Sequence, residues 1–420
     1  MDQGHVKSWL ENKTIFFEFV PELYYNSISV QLPCIPMVPM NNPLAPLSGS
    51  RPSRFSSKRL APVGAIGAIV LGAVVACAPA PSPSGDGGTP APGDSPAANA
   101  PESAAPAGET VKITLVSYAV TQSAYEKIIP KFAEAWKTQT GQTVEVEQSY
   151  GGSGSQTRAV IDGLEADVVA LALALDTQKI EKAGLIQPGW EEELPNGSIV
   201  HKSVAALVLR DETVPVKGWA DLNKPGVQVI TANPKTSGGA RWNFLALWGS
   251  VTQAGQPEAQ AQSFVESVFK NVPVLPKDAR EASDVFFKQG QGNVLINYEN
   301  EVLLAQSKGE KLPYVVPLDY NISIDSPVAL VDANVDKHGT REVAQAFAEF
   351  LFTPEAQKEF AQVGFRPTDP LVAEEFTSQY PTVQKLFTVT DLGGWDQIQT
   401  QFFEDGAIFD RILATATPGQ

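Results

Sequence analysis

Two α/β lobes, each a mostly parallel sheet flanked by helices, are what this 420-residue sequence predicts. Three observations predict them. Strand-like and helix-like patterns alternate beyond residue 110, the rhythm of βαβ units. The stretch ADVVALALAL (166–175) is an almost unbroken apolar run, as expected of a strand covered on both faces. About 310 residues without an internal Pro/Gly linker exceed one ordinary core, so two lobes joined by strands are the simplest arrangement.

Composition narrows the partners. The formal net charge is −16, and nucleic-acid binding needs clustered Lys and Arg, so nucleic acid is not an expected partner. A small anion remains compatible, because oriented backbone N–H dipoles bind anions without net positive charge. The cysteines are Cys34 and Cys77, both ahead of residue 110, which excludes a disulfide framework or thiolate zinc site in the folded part. His5, His201 and His338 are scattered and form no HExxH spacing. No metal and no cofactor are expected.

The front of the chain reads as an address. Residues 1–36 fit no part of a signal peptide and look like an upstream extension, with Met37 or Met40 as better starts; a genuine extension is the alternative. Residues 37–76 read as the signal peptide: Arg51, Arg54, Lys58 and Arg59 precede the apolar run Leu60–Ala76. Val74-Val75-Ala76-Cys77 resembles a bacterial lipobox. That resemblance implies cleavage before Cys77, lipidation of its thiol, and residence in the periplasm or on the outer face of the cell membrane. The alternative is a plain signal peptide with an incidental Cys; a lone Cys at this place favours the anchor. Residues 77–109, mostly Ala, Pro, Ser and Gly, bury too little to order themselves and serve as a tether. The leader carries more cations than acids, so its removal leaves an acidic remainder held by acyl chain and not by a polybasic patch.

The folded part divides into 110–198 as the first part of lobe 1, 199–318 as lobe 2, and 319–420 as the return to lobe 1 with C-terminal helices. VKITLVSY (111–118) is a strand. Tyr125, Ile128, Ile129, Phe132 and Trp136 then recur at helical spacing, with Pro130 expected to interrupt that helix. QTVEVEQSY alternates as a second strand, and SIVHKSVAALVLR (198–210) is a long β-type run. GVQVITANP, NVPVLP and NVLINYE each read as a strand before a helix. Near the end two helices are predicted, the second opened by Thr353 as N-cap with Pro354 in its first turn.

Three turns carry the chemistry. Gly151–Gln156, Ser237-Gly238-Gly239 and Ala279-Arg280 each stand between a predicted strand and a helix, at carboxyl ends of strands, where open α/β folds bind ligands. Each helix start offers free N–H groups and about half a positive charge. Other readings fit less well. Gly154 is followed by Ser-Gln-Thr, not Lys-Ser/Thr, so no Walker loop is present. Around Ser153 a nucleophile elbow would need Gly at position 155, which is Ser, and no His is placed as its base. Any one such turn is as readily a tight connection; three in one chain argue for a site. Asp167 and Asp176 flank the buried strand and read as capping groups rather than a catalytic dyad. No catalytic residue is assigned.

The phrases QSYGGSGSQTRAVIDGLEADVVALALALD, VITANPKTSGGARWNFLALWG, VLPKDAREASDVFFKQGQGNVLINYENE and DLGGWDQIQTQFFEDGAIFD closely resemble the sulfate-binding proteins of bacterial ABC importers. The likeness runs from Thr110 to Ile412. It implies a two-lobed periplasmic-binding-protein fold of type II, a monomer that closes on one sulfate and hands it to membrane permease subunits. It also implies a ligand set: backbone N–H groups of Ala119, Gly238, Gly239 and Ala279, the N–H and hydroxyl of Ser153, and Tyr298. The family often has an acid at the position of Ala119, but that contact uses main chain. Some members have a Trp at the position of Tyr298; a phenol also donates, and unlike an indole it accepts.

A site made of donors suits sulfate, which carries no proton at neutral pH. Protonated phosphate would bring an O–H without an acceptor, at a cost of about 1–3 kcal/mol. Thiosulfate is not rejected by this argument, and molybdate differs by size alone. Arg241 and Arg280 lie one or two residues beyond the expected contacts. Either they temper the ligand charge or they pair with surface acids; the sequence leaves both open. The remaining alternative, a surface-anchored hydrolase, lacks an acid–base constellation.

Overall fold

The computed structural model describes residues 110–416. The expected extension, signal peptide, Cys77 and tether fall in 1–109, outside the described residues. The first described element is β1 (Thr110–Tyr118), followed by α1 (Gln122–Thr140). Tyr125, Ile128, Phe132 and Trp136 bury one face of α1 at spacings of three and four. Gly141, at φ 76°, stops it and donates its N–H to Lys137 O. Pro130, expected to interrupt α1, sits inside a helix that continues. It is exposed, as is Glu126 one turn back, whose carbonyl loses the helical bond and can turn to water.

Next come β2 (Thr143–Gly151), α2 (Ser153–Ile161), β3 (Val168–Ala170) and α3 (Ala174–Lys182). The apolar run 166–175 is buried as expected, but only its middle is strand; Leu171–Leu173 leave the ladder and Ala174 already opens a helix. The long β-run after residue 198 breaks at Val204 into β4 (Ile199–Ser203) and β5 (Ala205–Leu209). Then follow β6 (Val229–Ile230), α4 (Gly238–Thr252), α5 (Glu258–Phe269) and α6 (Ala279–Phe287). NVPVLP (271–276) forms no strand, since Pro273 and Pro276 lack the N–H a ladder needs.

The chain continues through β7 (Val294–Tyr298), α7 (Glu299–Ser307), β8 (Tyr314–Val315), β9 (Asn321–Ile322) and β10 (Ile324–Leu330). It ends with α8 (Asp332–His338), α9 (Arg341–Phe350), α10 (Pro354–Gln362), β11 (Arg366–Pro367), α11 (Pro370–Glu375), β12 (Leu386–Phe387), α12 (Trp395–Ile398) and α13 (Ile408–Ala416). Thr353 caps α10, accepting from Ala356 N, with Pro354 in the first turn.

Two sheets make the two lobes. The first has the order β11-β4-β10-β3-β1-β2, the second β6-β7-β5-β8. Both are mixed, which corrects the expectation of mostly parallel sheets. β1 runs parallel to β2 and β3, and β6 to β7, but β10 is antiparallel to β3 and β4, and β5 to β7 and β8. The reason lies in the crossings: β4 passes into β5 and β9 into β10 as extended chain, with no helix to reverse direction.

The boundaries shift accordingly. β4 pairs within the first sheet, so the chain crosses at Val204 and not at 199. The C-terminal part does not stay on lobe 1. β12 pairs with β9, and Phe402, Phe403 and Phe409 pack edge-on around Phe244 of α4. Such aromatic pairs bury large apolar area, so the tail is tied to lobe 2 by packing.

Candidate functional site

The last residues of β1, β2 and β7 are Tyr118, Gly151 and Tyr298, and all three line one small cavity of about 10 Å³ that is partly open to solvent. Ala119, Val120, Gly152, Ser153 and Ala172 complete its lobe-1 wall, and Ser237, Gly238, Gly239, Asp278 and Ala279 its lobe-2 wall. All six residues expected at the ligand (Ala119, Ser153, Gly238, Gly239, Ala279 and Tyr298) are therefore gathered here from five separate stretches of chain. α2, α4 and α6 open at Ser153, Gly238 and Ala279. Their first-turn N–H groups have no intrahelical acceptor.

Caps decide which of these donors stay free. Ser237 Oγ accepts from Ala240 N at 3.2 Å, and Asp278 Oδ1 from Glu281 N at 2.8 Å. Each cap takes the third N–H of its helix and leaves the first two, those of Gly238 and Gly239 in α4 and of Ala279 and Arg280 in α6. Glu281 Oε2 accepts from Lys277 N at 2.7 Å, one residue ahead of the Asp278 cap, a shifted form of the capping box. α2 has no side-chain cap; Gly152 O accepts from Ser155 N and Gln156 N, and the N–H groups ahead of them remain.

The Ser153 hydroxyl has partners within the protein: it donates to Asp176 Oδ2 at 2.7 Å and accepts from Ala172 N at 3.1 Å, so a bond to a ligand would have to displace Asp176 as its acceptor. Asp176 is wholly buried on α3 and needs these partners; Arg241 Nη1 supplies a second at 2.9 Å. Asp167 is likewise structural, accepting from Thr114 N, Thr340 Oγ1 and the His338 ring. The two carboxylates form no dyad.

The two arginines are committed, but to buried acids rather than surface ones. Arg241 pairs with Asp176 across the lobes, and Arg280 pairs with Glu301 at 2.8 Å. Burial pushes the Glu301 carboxyl up, and the Arg280 guanidinium partly offsets this. Trp242 Nε1 adds a second bond between lobes, donating to Ala172 O at 2.8 Å.

Tyr298 is different. Its side chain is buried and its hydroxyl has no hydrogen-bond partner. Burial, then the neighbouring Tyr118, Asp176 and Glu301, hold its pKa well above 10, so it stays protonated. The ring of Tyr118 lies 5.9 Å away, but its own hydroxyl is bonded to Ser326. An orphaned hydroxyl at the wall of a cavity is the kind of group that a bound anion would satisfy.

Sequence reasoning did not single out Ser237, Asp278, Ala172 or Gly152 as wall residues, although Ser237 and Gly152 lie inside two of the turns it picked. The first two had a signal: Ser237 precedes the Gly-Gly pair, and Asp278-Ala279-Arg280-Glu281 spells a capping box. Gly152 had the Gly-rich turn around it, and Ala172 had none, since its place depends on the opposite lobe. Among the cavity-lining residues there is no His, Lys or Arg. Among the described residues no group of three or more His, Cys, Asp or Glu is placed to hold a metal ion.

Known proteins match this arrangement. Residues 113–366 match the family described as bacterial extracellular solute-binding protein. A sulfate-binding protein of Synechocystis is 65% identical over 302 residues, 72% of this chain and 86% of the relative. A thiosulfate-binding protein of Pseudomonas aeruginosa is 36% identical over 71% of this chain and 91% of its own. Among solved structures, a sulfate-binding protein from Mycobacterium tuberculosis superposes with a TM-score of 0.64 at 37% identity, covering 70% of this chain and 99% of that one.

Proposed function

The chain belongs to the bacterial extracellular solute-binding proteins, and we propose that within that family it captures sulfate and delivers it to the permease of an ABC importer. One observation carries this reading. Three helix N-termini and the turn at Ala119 open into a single cavity whose buried Tyr298 hydroxyl lacks a partner. Such a wall offers donors to every oxygen of a fully ionised tetrahedral anion. In this reading the N–H groups of Ala119, Ser153, Gly238, Gly239 and Ala279 and the Tyr298 hydroxyl hold the ligand. Nothing is transformed.

The names of the relatives point the same way and add a second ligand, thiosulfate, which is also a dianion with acceptor atoms only. Calorimetric titration with sulfate, thiosulfate, molybdate and phosphate at neutral pH tests the choice. Tight binding of sulfate with no heat from phosphate is expected; preference for phosphate would contradict the donor contacts and point to the Asp278 carboxylate as an acceptor for its proton, and a stronger response to thiosulfate would reassign the ligand.

The protein is extracytoplasmic, and in our reading a monomer tethered through lipidated Cys77 by the 77–109 linker. Intact-mass analysis of membrane-extracted protein should find a chain beginning at Cys77 with acyl groups attached. A soluble product starting elsewhere would remove the anchor from the account.

A further inference from the structure

Gly152 sits in the middle of the Gly-rich turn, yet its backbone does not require glycine. Its φ of −63° and ψ of 132° suit any residue. What it lacks is space. A Cβ built there would meet Thr236 O at 2.5 Å and Lys277 O at 3.2 Å. Both atoms are backbone carbonyls of lobe 2, from the two loops that lead into α4 and α6. We propose that Gly152 permits the lobes to close: its missing side chain accommodates the backbone rim of the opposite lobe, not the anion, whereas Gly238 across the seam faces lobe-1 side chains. This inference rests on the reading of the cavity as an anion site held by both lobes.

Lobe 2 has no means of yielding at this contact. Thr236 Oγ1 donates to Lys277 O at 2.6 Å, Asn233 N to Pro276 O at 2.8 Å and Ser237 N to Asn233 O at 2.9 Å. Lys235 Nζ fastens the same loop to Phe403 O, Glu404 O and Asp410 of the C-terminal segment. The two carbonyls are thus pinned in one rigid edge. An added side chain at 152 cannot be relieved by a rotamer change on the far side, so the lobes must separate. Separation draws the α2 start away from the starts of α4 and α6. The Tyr298 hydroxyl, unpartnered and buried in the same cavity, then loses its place opposite the lobe-1 donors.

The predicted signature is a loss of ligand-linked behaviour without loss of folding. A binder whose competent closed state is depopulated loses apparent affinity in proportion. Gly152→Ser retains a good N-cap residue for α2, and Gly152→Ala adds a single carbon. Sodium sulfate titrations of parent and variants, with melting curves in the presence and absence of sulfate, test the idea. We expect both variants to bind at least about tenfold more weakly, Gly152→Ser to melt with the parent when sulfate is absent, and the rise in melting temperature with sulfate to shrink. Affinity within twofold of a sulfate-binding parent would overturn the role given to Gly152 and leave the proposed function standing. A Gly152→Ser variant that already melts earlier without sulfate would assign the glycine to the folding of lobe 1, which also overturns the inference. A parent that binds no oxyanion would instead sink the proposed function.

Discussion

The two walls of the cavity reach the same result by different means. On the lobe-2 side, Ser237 and Asp278 cap α4 and α6 with their side chains. On the lobe-1 side, α2 starts from a glycine with no side chain, and its uncapped N–H groups are framed by main chain alone. Side-chain caps suit the wall whose loops are pinned from behind by Lys235 and Thr236. A bare backbone suits the wall that must meet that edge. The contrast teaches that a helix start keeps its donors free by where its cap points: both caps take the third N–H and spare the first two.

Four substitutions and one pH series break or sharpen this contrast. The largest effect is expected from Gly239→Asp on the capped wall. A carboxylate about 4 Å from the anion opposes it by about 4 kcal/mol per unit charge at an effective dielectric of about 20, and its Cβ would also meet the Tyr298 ring at 2.7 Å. Sulfate titration should show binding lost by more than about a hundredfold. Undiminished affinity would remove the α4 start from the site.

Tyr298→Phe comes next. It deletes a hydroxyl that the protein itself does not use, so unfolding stability should be unchanged or slightly higher. Sulfate affinity should fall by about 1.5–3 kcal/mol, the worth of a bond to a charged acceptor. Equal affinity would reduce Tyr298 to packing.

Ser153→Ala acts on the uncapped wall, and there the structure changes the sign of interest. The hydroxyl serves Asp176 and Ala172 N, so its removal should cost about 1–3 kcal/mol in denaturant unfolding by stranding buried groups. Its effect on affinity should be smaller than that of Tyr298→Phe. The reverse order would return the hydroxyl to the ligand. On the capped wall, Asp278→Ala removes a cap worth about 1 kcal/mol of stability and also an acid from the lining. Melting should fall while sulfate affinity holds or rises.

The smallest effect is expected from pH. Main-chain N–H groups do not titrate, and burial keeps the Tyr298 hydroxyl protonated to well above pH 10. A group whose pKa is raised keeps its proton as pH climbs, so this donor persists throughout the neutral range. Sulfate affinity measured between about pH 6 and 9 should therefore be flat. A steep fall in that range would place an unrecognised titrating donor in the wall.

Local features were legible in the sequence. The apolar face of α1 follows from Tyr125, Ile128, Phe132 and Trp136, and the starts of α2, α4 and α6 from turn residues beside periodic runs. The break at Val204 was not legible, because an uninterrupted β-run carries no mark of which sheet each half joins. Nor was the docking of Phe402, Phe403 and Phe409 onto lobe 2, since an apolar helix face does not name its partner. The duties of Ser153, Asp176 and Arg241 were hidden for the same reason. Their partners lie 23 and 65 residues apart, and what a buried carboxylate recruits is decided by the fold.

A crystal structure grown with sulfate shows whether donors from both walls converge on one anion. The account predicts a sulfate between the walls, its oxygens about 2.7–3.1 Å from the backbone nitrogens of Ala119, Ser153, Gly238, Gly239 and Ala279 and from the Tyr298 hydroxyl, with the Ser153 hydroxyl still on Asp176. A sulfate bound to one wall alone, or seated elsewhere with this cavity unchanged, would contradict it.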